Sequence, residues 1–246
     1  MAIVRDDAFV IQSVRFGETS LICRLLTRER GVVPVIAKGV RGPKSRFGAR
    51  LDAFRRLQVT FYDKPGREIQ TLSQADMVEE HPEVVRSLER MEAAGAWFRF
   101  LRAALPERAP AEPVFDLAAL ALRRLGAVRV TEVGRWETWH RSAAAAWLGL
   151  APRLESCAAC DRELPDPRGM ALALEEGGLV CADCAAGRPG ARFGPREYAL
   201  IALYHHPEWE LVAGLGPPRP EEAAVQETVG RFVAWHMDVP LARRRR

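Results

Sequence analysis

The sequence predicts an α+β chain: an N-terminal five-stranded barrel, an α-helical domain, and a four-cysteine insert within the helices. Three observations carry this reading. Over residues 3–80, short β-branched and aromatic runs alternate apolar with polar positions. From Pro82 the apolar period lengthens to threes and fours. Late in the chain, two Cys-x-x-Cys pairs stand 20 residues apart. The 246 residues are 48% apolar and 28% charged, enough to bury the cores of one to two domains.

The strands come first. Phe9 to Phe16 is β-branched and aromatic and ends at Gly17; Leu21, Cys23 and Leu25 alternate before a turn at Arg28–Gly31. Val32 to Lys38 follows, with Pro34 predicting an edge position or a bulge. Gly39 to Arg50 is glycine-rich and basic, a loop. Leu57 to Tyr62 resumes the alternation, Asp63–Gly66 turns it, and Arg67 to Ala75 closes the set. Five strands at this spacing suit a small closed barrel of the OB-fold type.

The helices follow. Pro82 opens one that carries Val84, Leu88, Met91, Phe98, Leu101 and Leu105 on a single face. Phe115 to Leu125 predicts a second, and Thr131 is placed to cap a third bearing Trp136, His140 and Trp147. Pro195–His205 and Glu221–Met237 predict two more. The expected boundaries are 1–80 for the barrel, 81–153 and 191–246 for the two parts of the helical domain, and 154–190 for the insert. His140 and His236 lie on apolar faces and are expected to pack there.

Cys157, Cys160, Cys181 and Cys184 form the two pairs, and Met170–Leu174 with Leu179–Val180 predict a hairpin between them. The spacing fits tetrahedral coordination of one structural zinc ion by four thiolates. Two disulfides or a dithiol redox site are the competing readings; a cytoplasmic setting disfavours the first, and redox motifs do not come in duplicate. Four thiolates leave no open position for water or substrate, so the metal is expected to stiffen rather than react. His81-Pro-Glu83 and His206-Pro-Glu208 match half of a zinc-deaminase signature, but neither cysteine pair has the proline that signature requires. No P-loop, dinucleotide loop, His-Glu-x-x-His or Gly-x-Ser-x-Gly occurs, and no enzyme is expected. Cys23 is left over as a small buried hydrophobe.

Charge points to a partner. Residues 24–56 hold ten basic side chains against Glu29 and Asp52, a net of +8, in a chain whose whole net charge is +4. Such a local field suits a polyanion. Lys38, Arg41, Lys44, Arg46, Arg50, Arg55 and Arg56 are candidate phosphate contacts, Phe47 a candidate for stacking on a base, and Tyr62 an extension of the groove. The plainer alternative is a solvated basic loop. Arg243–Arg246 is a like-charged tail with no role assigned. No apolar stretch approaches the roughly 20 residues that span a bilayer, and acids occupy the place of a signal peptide's basic start. The expected location is the cytoplasm, in association with the nucleoid, with no membrane partner.

These motifs in order resemble a known family. The strand-rich start leading into Lys38-Gly39-Val-Arg41, the run Trp-Leu148-Gly149-Leu-Ala-Pro152, then Cys157-x-x-Cys160 and Gly177-Gly178-Leu-Val-Cys181-x-x-Cys184, are similar to bacterial RecO over nearly the whole chain. The resemblance implies a recombination mediator in DNA repair, not an enzyme. It implies binding of single- and double-stranded DNA and annealing of complementary strands. With RecR, such proteins help a RecA-type recombinase replace single-strand-binding protein. Some members lack the cysteines, which implies a structural metal. Only three lysines accompany 33 arginines here, a departure from the family. A zinc-ribbon adaptor for protein partners, with nucleic acid incidental, and a zinc-dependent deaminase or nuclease are the alternative functions.

Overall fold

Alternating side chains on five strands close residues 2–79 into a barrel. In the computed structural model, which describes residues 1–42, 45, 47–164, 168–188 and 190–237, the strands are β1 (Ala2–Phe16), β2 (Ser20–Thr27), β3 (Gly31–Ala37), β4 (Arg56–Asp63) and β5 (Gln70–Glu79). They are ordered β1-β2-β3-β5-β4, and β4 pairs back to β1. All pairings are antiparallel except β3–β5, where Val35 faces Gln70 and Ile36 faces Thr71. This is the expected OB-type topology. Val10, Cys23, Leu25, Val35, Leu57, Val59, Phe61 and Leu72 fill the interior.

Two local features of β1 depart from the expectation, while Pro34 follows it. β1 begins seven residues earlier, because Asp6 turns inward and accepts the Glu29 amide at 3.2 Å, while Asp7 pairs with Arg56. A bulge between Val10 and Gln12 then shifts the β1–β2 register by one residue. Pro34 sits inside β3, where the pairing to β5 has not yet begun, so its missing N–H falls on an open edge. Gly31 enters β3 at φ +64°, and a Cβ there would stand 1.8 Å from the Ala109 carbonyl oxygen. Only glycine fits that approach.

The predicted first long helix is two. α1 (Pro82–Val85) ends at Arg86, and Ser87 caps α2 (Leu88–Ala104) by accepting the Arg90 amide. α3 (Glu112–Ala127) follows. Phe9, on the face of β1 opposite the barrel interior, packs against Phe98 of α2 at 5.8 Å and Phe115 of α3 at 5.2 Å. The chain forms two compact units, Met1–Ala127 and Val128–Arg246. Thus α1–α3 group with the barrel, although the change of period lies near residue 80.

The second unit opens with a 3₁₀ turn, Val130–Glu132, and then α4 (Val133–Trp147). Thr131 lies inside that turn and does not cap α4; the Arg129 amide donates to the Glu132 carboxylate instead. A short hairpin, β6 (Ala171–Ala173) and β7 (Gly178–Val180), precedes α5 (Ala182–Ala185), α6 (Pro195–Tyr204), α7 (Trp209–Ala213) and α8 (Pro220–His236). His140 is fully buried among Trp136, Trp139 and Trp209, its Nδ1 2.7 Å from the Trp136 carbonyl oxygen. Among the described residues no helix is long and apolar enough to cross a membrane.

Candidate nucleic-acid interface and metal centre

The cationic stretch does not form one cradle. Half of it is neutralised by carboxylates distant in sequence. Arg24 pairs with Glu107 at 3.0 Å, Arg28 with Glu112 and Asp116 of α3 at 2.8 and 3.1 Å, and Arg30 with Asp63 at 3.7 Å. Arg55 is held between Asp52 and Glu80, both at 3.2 Å, and Arg56 pairs with Asp7 while its guanidinium lies 5.7 Å from the Phe115 ring centroid. A guanidinium already neutralised offers a phosphate little net attraction. Arg55 and Arg56, expected as DNA contacts, are thus ion-paired within the fold. Phe47 is corrected as well: its ring is 1% exposed and caps the barrel interior beside Leu51 and Val40, so no base can stack on it. Lys44 and Arg46 lie outside the described residues. Arg50 is exposed at the end of the 3₁₀ turn Gly48–Leu51.

Lys38 and Arg41 remain at an open end of the barrel. Both are exposed, and neither is ion-paired among the described residues. The Arg41 amide donates to the Thr19 carbonyl at 3.0 Å, and its Nη1 lies 3.4 Å from the Glu18 carbonyl oxygen. These two bonds tie the basic loop to the β1–β2 turn. The strand register then defines a surface that composition alone does not reveal. Val14 faces Ile22, Ile22 faces Ile36, and Ile36 faces Thr71, an outward row crossing β1, β2, β3 and β5. Phe16, two residues beyond Val14 on the same face, pairs with Ser20. At the far end of the row, Arg67 of the β4–β5 turn lies within 3.4 Å of the Thr71 hydroxyl, beside exposed Lys64. Tyr62 adjoins Thr71 through the β4–β5 pairing.

An apolar band flanked by cations at the β1–β2 and β4–β5 turns is what a barrel of this type offers a single strand. Sequence reasoning missed Val14, Phe16, Ile22, Ile36 and Arg67. β3 is apolar on both faces, and the bulge at Ile11 inverts the phase of β1, so no local pattern announces which side chains face outward.

The four cysteines converge as predicted. Their sulfurs all lie within 4.8 Å of one another, and Cys160 and Cys181 are 4.0 Å apart. A zinc tetrathiolate with bonds of about 2.3 Å has sulfur–sulfur edges of about 3.8 Å, so the donor set fits the ion. Backbone geometry builds each half. Cys157 donates its amide to the Arg162 carbonyl at 2.8 Å, and Asp161, at φ +60°, returns its amide to Cys157 at 2.9 Å. The Cys181 amide points at the Cys157 sulfur, 3.3 Å away. Burial pushes the Cys157 thiol up, but the amides of Cys181, Ala159 and Cys160 outweigh it and bring it to about 6. Hydrogen bonds with the Cys181 and Cys160 thiols push Cys184 to about 12. Metal-free, the four thiols share protons that a bound cation would expel. At Gly178, a Cβ would stand 2.4 Å from the Arg153 carbonyl oxygen, so glycine lets β7 lie against the segment entering the first pair.

No histidine joins this cluster. Of the half-signatures, His81 is buried at the start of α1, where burial holds it below the ordinary imidazole range, and Glu83 pairs with Arg86 at 2.8 Å. The deaminase pattern of one histidine and two cysteines is not assembled.

Comparison with known proteins matches this architecture at both ends. Residues 1–81 match the family model for the recombination protein O N terminal, and residues 85–245 match that for the recombination protein O C terminal. The chain belongs to the RecO family. It is 35% identical over 195 residues to the DNA repair protein RecO of Rubrobacter xylanophilus, covering 78% of this chain and 76% of that one. It is also 34% identical over 203 residues to the DNA repair protein RecO of Salinibacter ruber, covering 82% and 76%. The junction of the two RecO family segments falls where the strand period gives way to the helical one.

Proposed function

We propose that this RecO family chain is a DNA-binding recombination mediator that works without catalysing a reaction. It binds single- and double-stranded DNA, anneals complementary strands, and with RecR assists a RecA-type recombinase onto strands coated by single-strand-binding protein. It does so in the cytoplasm, on nucleoid DNA. The observation supporting the DNA part is the outward β1–β2–β3 face, whose apolar row is flanked by Lys38 and Arg41 at one end and Lys64 and Arg67 at the other. The protein partners rest on family membership alone.

The physical task in annealing is to hold two polyanions together. Each phosphate neutralised releases a condensed counterion, so binding at low salt is favoured and largely independent of sequence. Arginine suits this work, because its planar fork pairs bidentately with phosphate. The four thiolates hold one structural zinc ion, which fixes the hairpin β6–β7 and supplies no chemistry of its own. Annealing of complementary oligonucleotides coated with single-strand-binding protein is expected to proceed without ATP and to slow steeply as salt rises. No annealing at low salt, or annealing that needs a nucleotide, contradicts the proposal.

A further inference from the structure

We infer that Phe16 is a base-stacking residue and that it makes the β1–β2 end of the barrel favour single-stranded over duplex DNA. The inference rests on the DNA-binding reading above and adds to it a strand preference. β1 overshoots the barrel: Ser13, Val14, Arg15 and Phe16 are all exposed, and they pair only with the start of β2. Phe16 is 53% exposed and Val14 52%, and Phe16 stacks on no other ring among the described residues. A large apolar side chain held in water by a rigid turn is a candidate contact for a ligand.

The β1–β2 turn is held in place by its own backbone and by the basic loop. Gly17 supplies its left-handed residue at φ +60°, and the two hydrogen bonds from Arg41 to Thr19 and Glu18 fix it against the basic loop. That same docking gives the ring its cationic neighbours. Arg41 is anchored to the turn that Phe16 enters, and Lys38 leaves β3 two residues beyond Ile36 on the adjoining row. Glu18 offsets one charge; with Arg15, Lys38 and Arg41 the end remains cationic. A flat π face next to guanidinium and ammonium groups matches an unstacked base carried on a phosphodiester chain. In a duplex the bases stack on each other, so the ring has nothing to receive, while the cations still meet phosphates.

The test compares a labelled oligothymidylate with a mixed-sequence duplex of equal length, in the full-length protein with Phe16→Ala, Phe16→Leu and Phe16→Trp. Stacking is worth enough per base that Phe16→Ala should weaken single-strand binding about 5- to 100-fold. Duplex binding and the salt slope for either probe should be unchanged. Phe16→Leu keeps an apolar side chain but should fail like alanine; Phe16→Trp should restore binding and so show that the turn has folded. Equal loss on both probes, or no loss on either, overturns the role of Phe16 while leaving the DNA-binding reading intact. A parent protein that binds neither probe overturns that reading itself.

Discussion

Glu222→Ala is expected to destabilise the second unit by about 3–5 kcal/mol, measured as a shift in its denaturant midpoint. The carboxylate is one half of a buried bidentate pair: its oxygens accept from Nε and Nη2 of Arg135 at 2.7 and 2.6 Å, with side chains only 6% and 3% exposed. Arg135 also donates through Nη1 to the Gly216 carbonyl at 2.8 Å, joining α4 to α8 and to the loop before it. Truncating the glutamate leaves a buried guanidinium that cannot lose its proton with only the longer 3.9 Å contact to Glu132, so the cost approaches that of an uncompensated buried charge. Removing both charges, as in Arg135→Met with Glu222→Leu, should recover much of the loss. If the double variant is no better than the single, the pair is not what matters.

The pair also sets an acid limit. Burial alone would raise the Glu222 carboxyl, but the Arg135 guanidinium and the Arg219 amide more than reverse it and leave it below the ordinary carboxylate range. A carboxyl depressed in the folded state stabilises that state above its unfolded pKa and loses the contribution as pH falls through the folded value. The gap in stability between the parent protein and Glu222→Gln should therefore be full at neutral pH and close in acid.

The second large effect is metal removal. The chain as purified is expected to carry one zinc, and Cys181→Ser or a strong chelator should unfold the insert, residues 154–190, selectively. The cluster around the cysteines is small: Cys157, Ala171, Val180 and Ala185, with Met170, Leu172 and Leu179 also buried in the insert. So few buried side chains do not offset the conformational entropy of nearly forty residues, whereas a structural zinc site contributes of order 10 kcal/mol. Hydrogen exchange should show lost protection at β6–β7 with the barrel unaffected. Less than about half an equivalent of zinc in fresh protein contradicts this.

Features encoded locally were legible in the sequence. The barrel strands followed from alternation, and the cysteine cluster from two short pairs whose spacing is itself a signature. The break between α1 and α2 was not, because the apolar stripe runs on through Ser87 although that residue caps a new helix. Phe47 sits among cations in the chain, yet its ring closes the barrel, and neighbours in sequence do not report that burial. The widest miss was electrostatic. A net of +8 counted along a segment ignores acids outside it, and Glu112 and Asp116 reach back to Arg28 across the fold. Charge runs locate a field only after the long-range pairs are known.

The salt dependence of single-strand affinity bears most directly on the claim that the open end of the barrel, and not the ion-paired arginines, meets phosphate. Lys38→Ala with Arg41→Ala should flatten the log–log slope by about 1.4, or about 0.7 for each phosphate no longer neutralised. Arg28→Gln, whose guanidinium is already neutralised by α3, should leave the slope as it is. A slope unchanged in the first variant, or flattened equally in the second, contradicts the account.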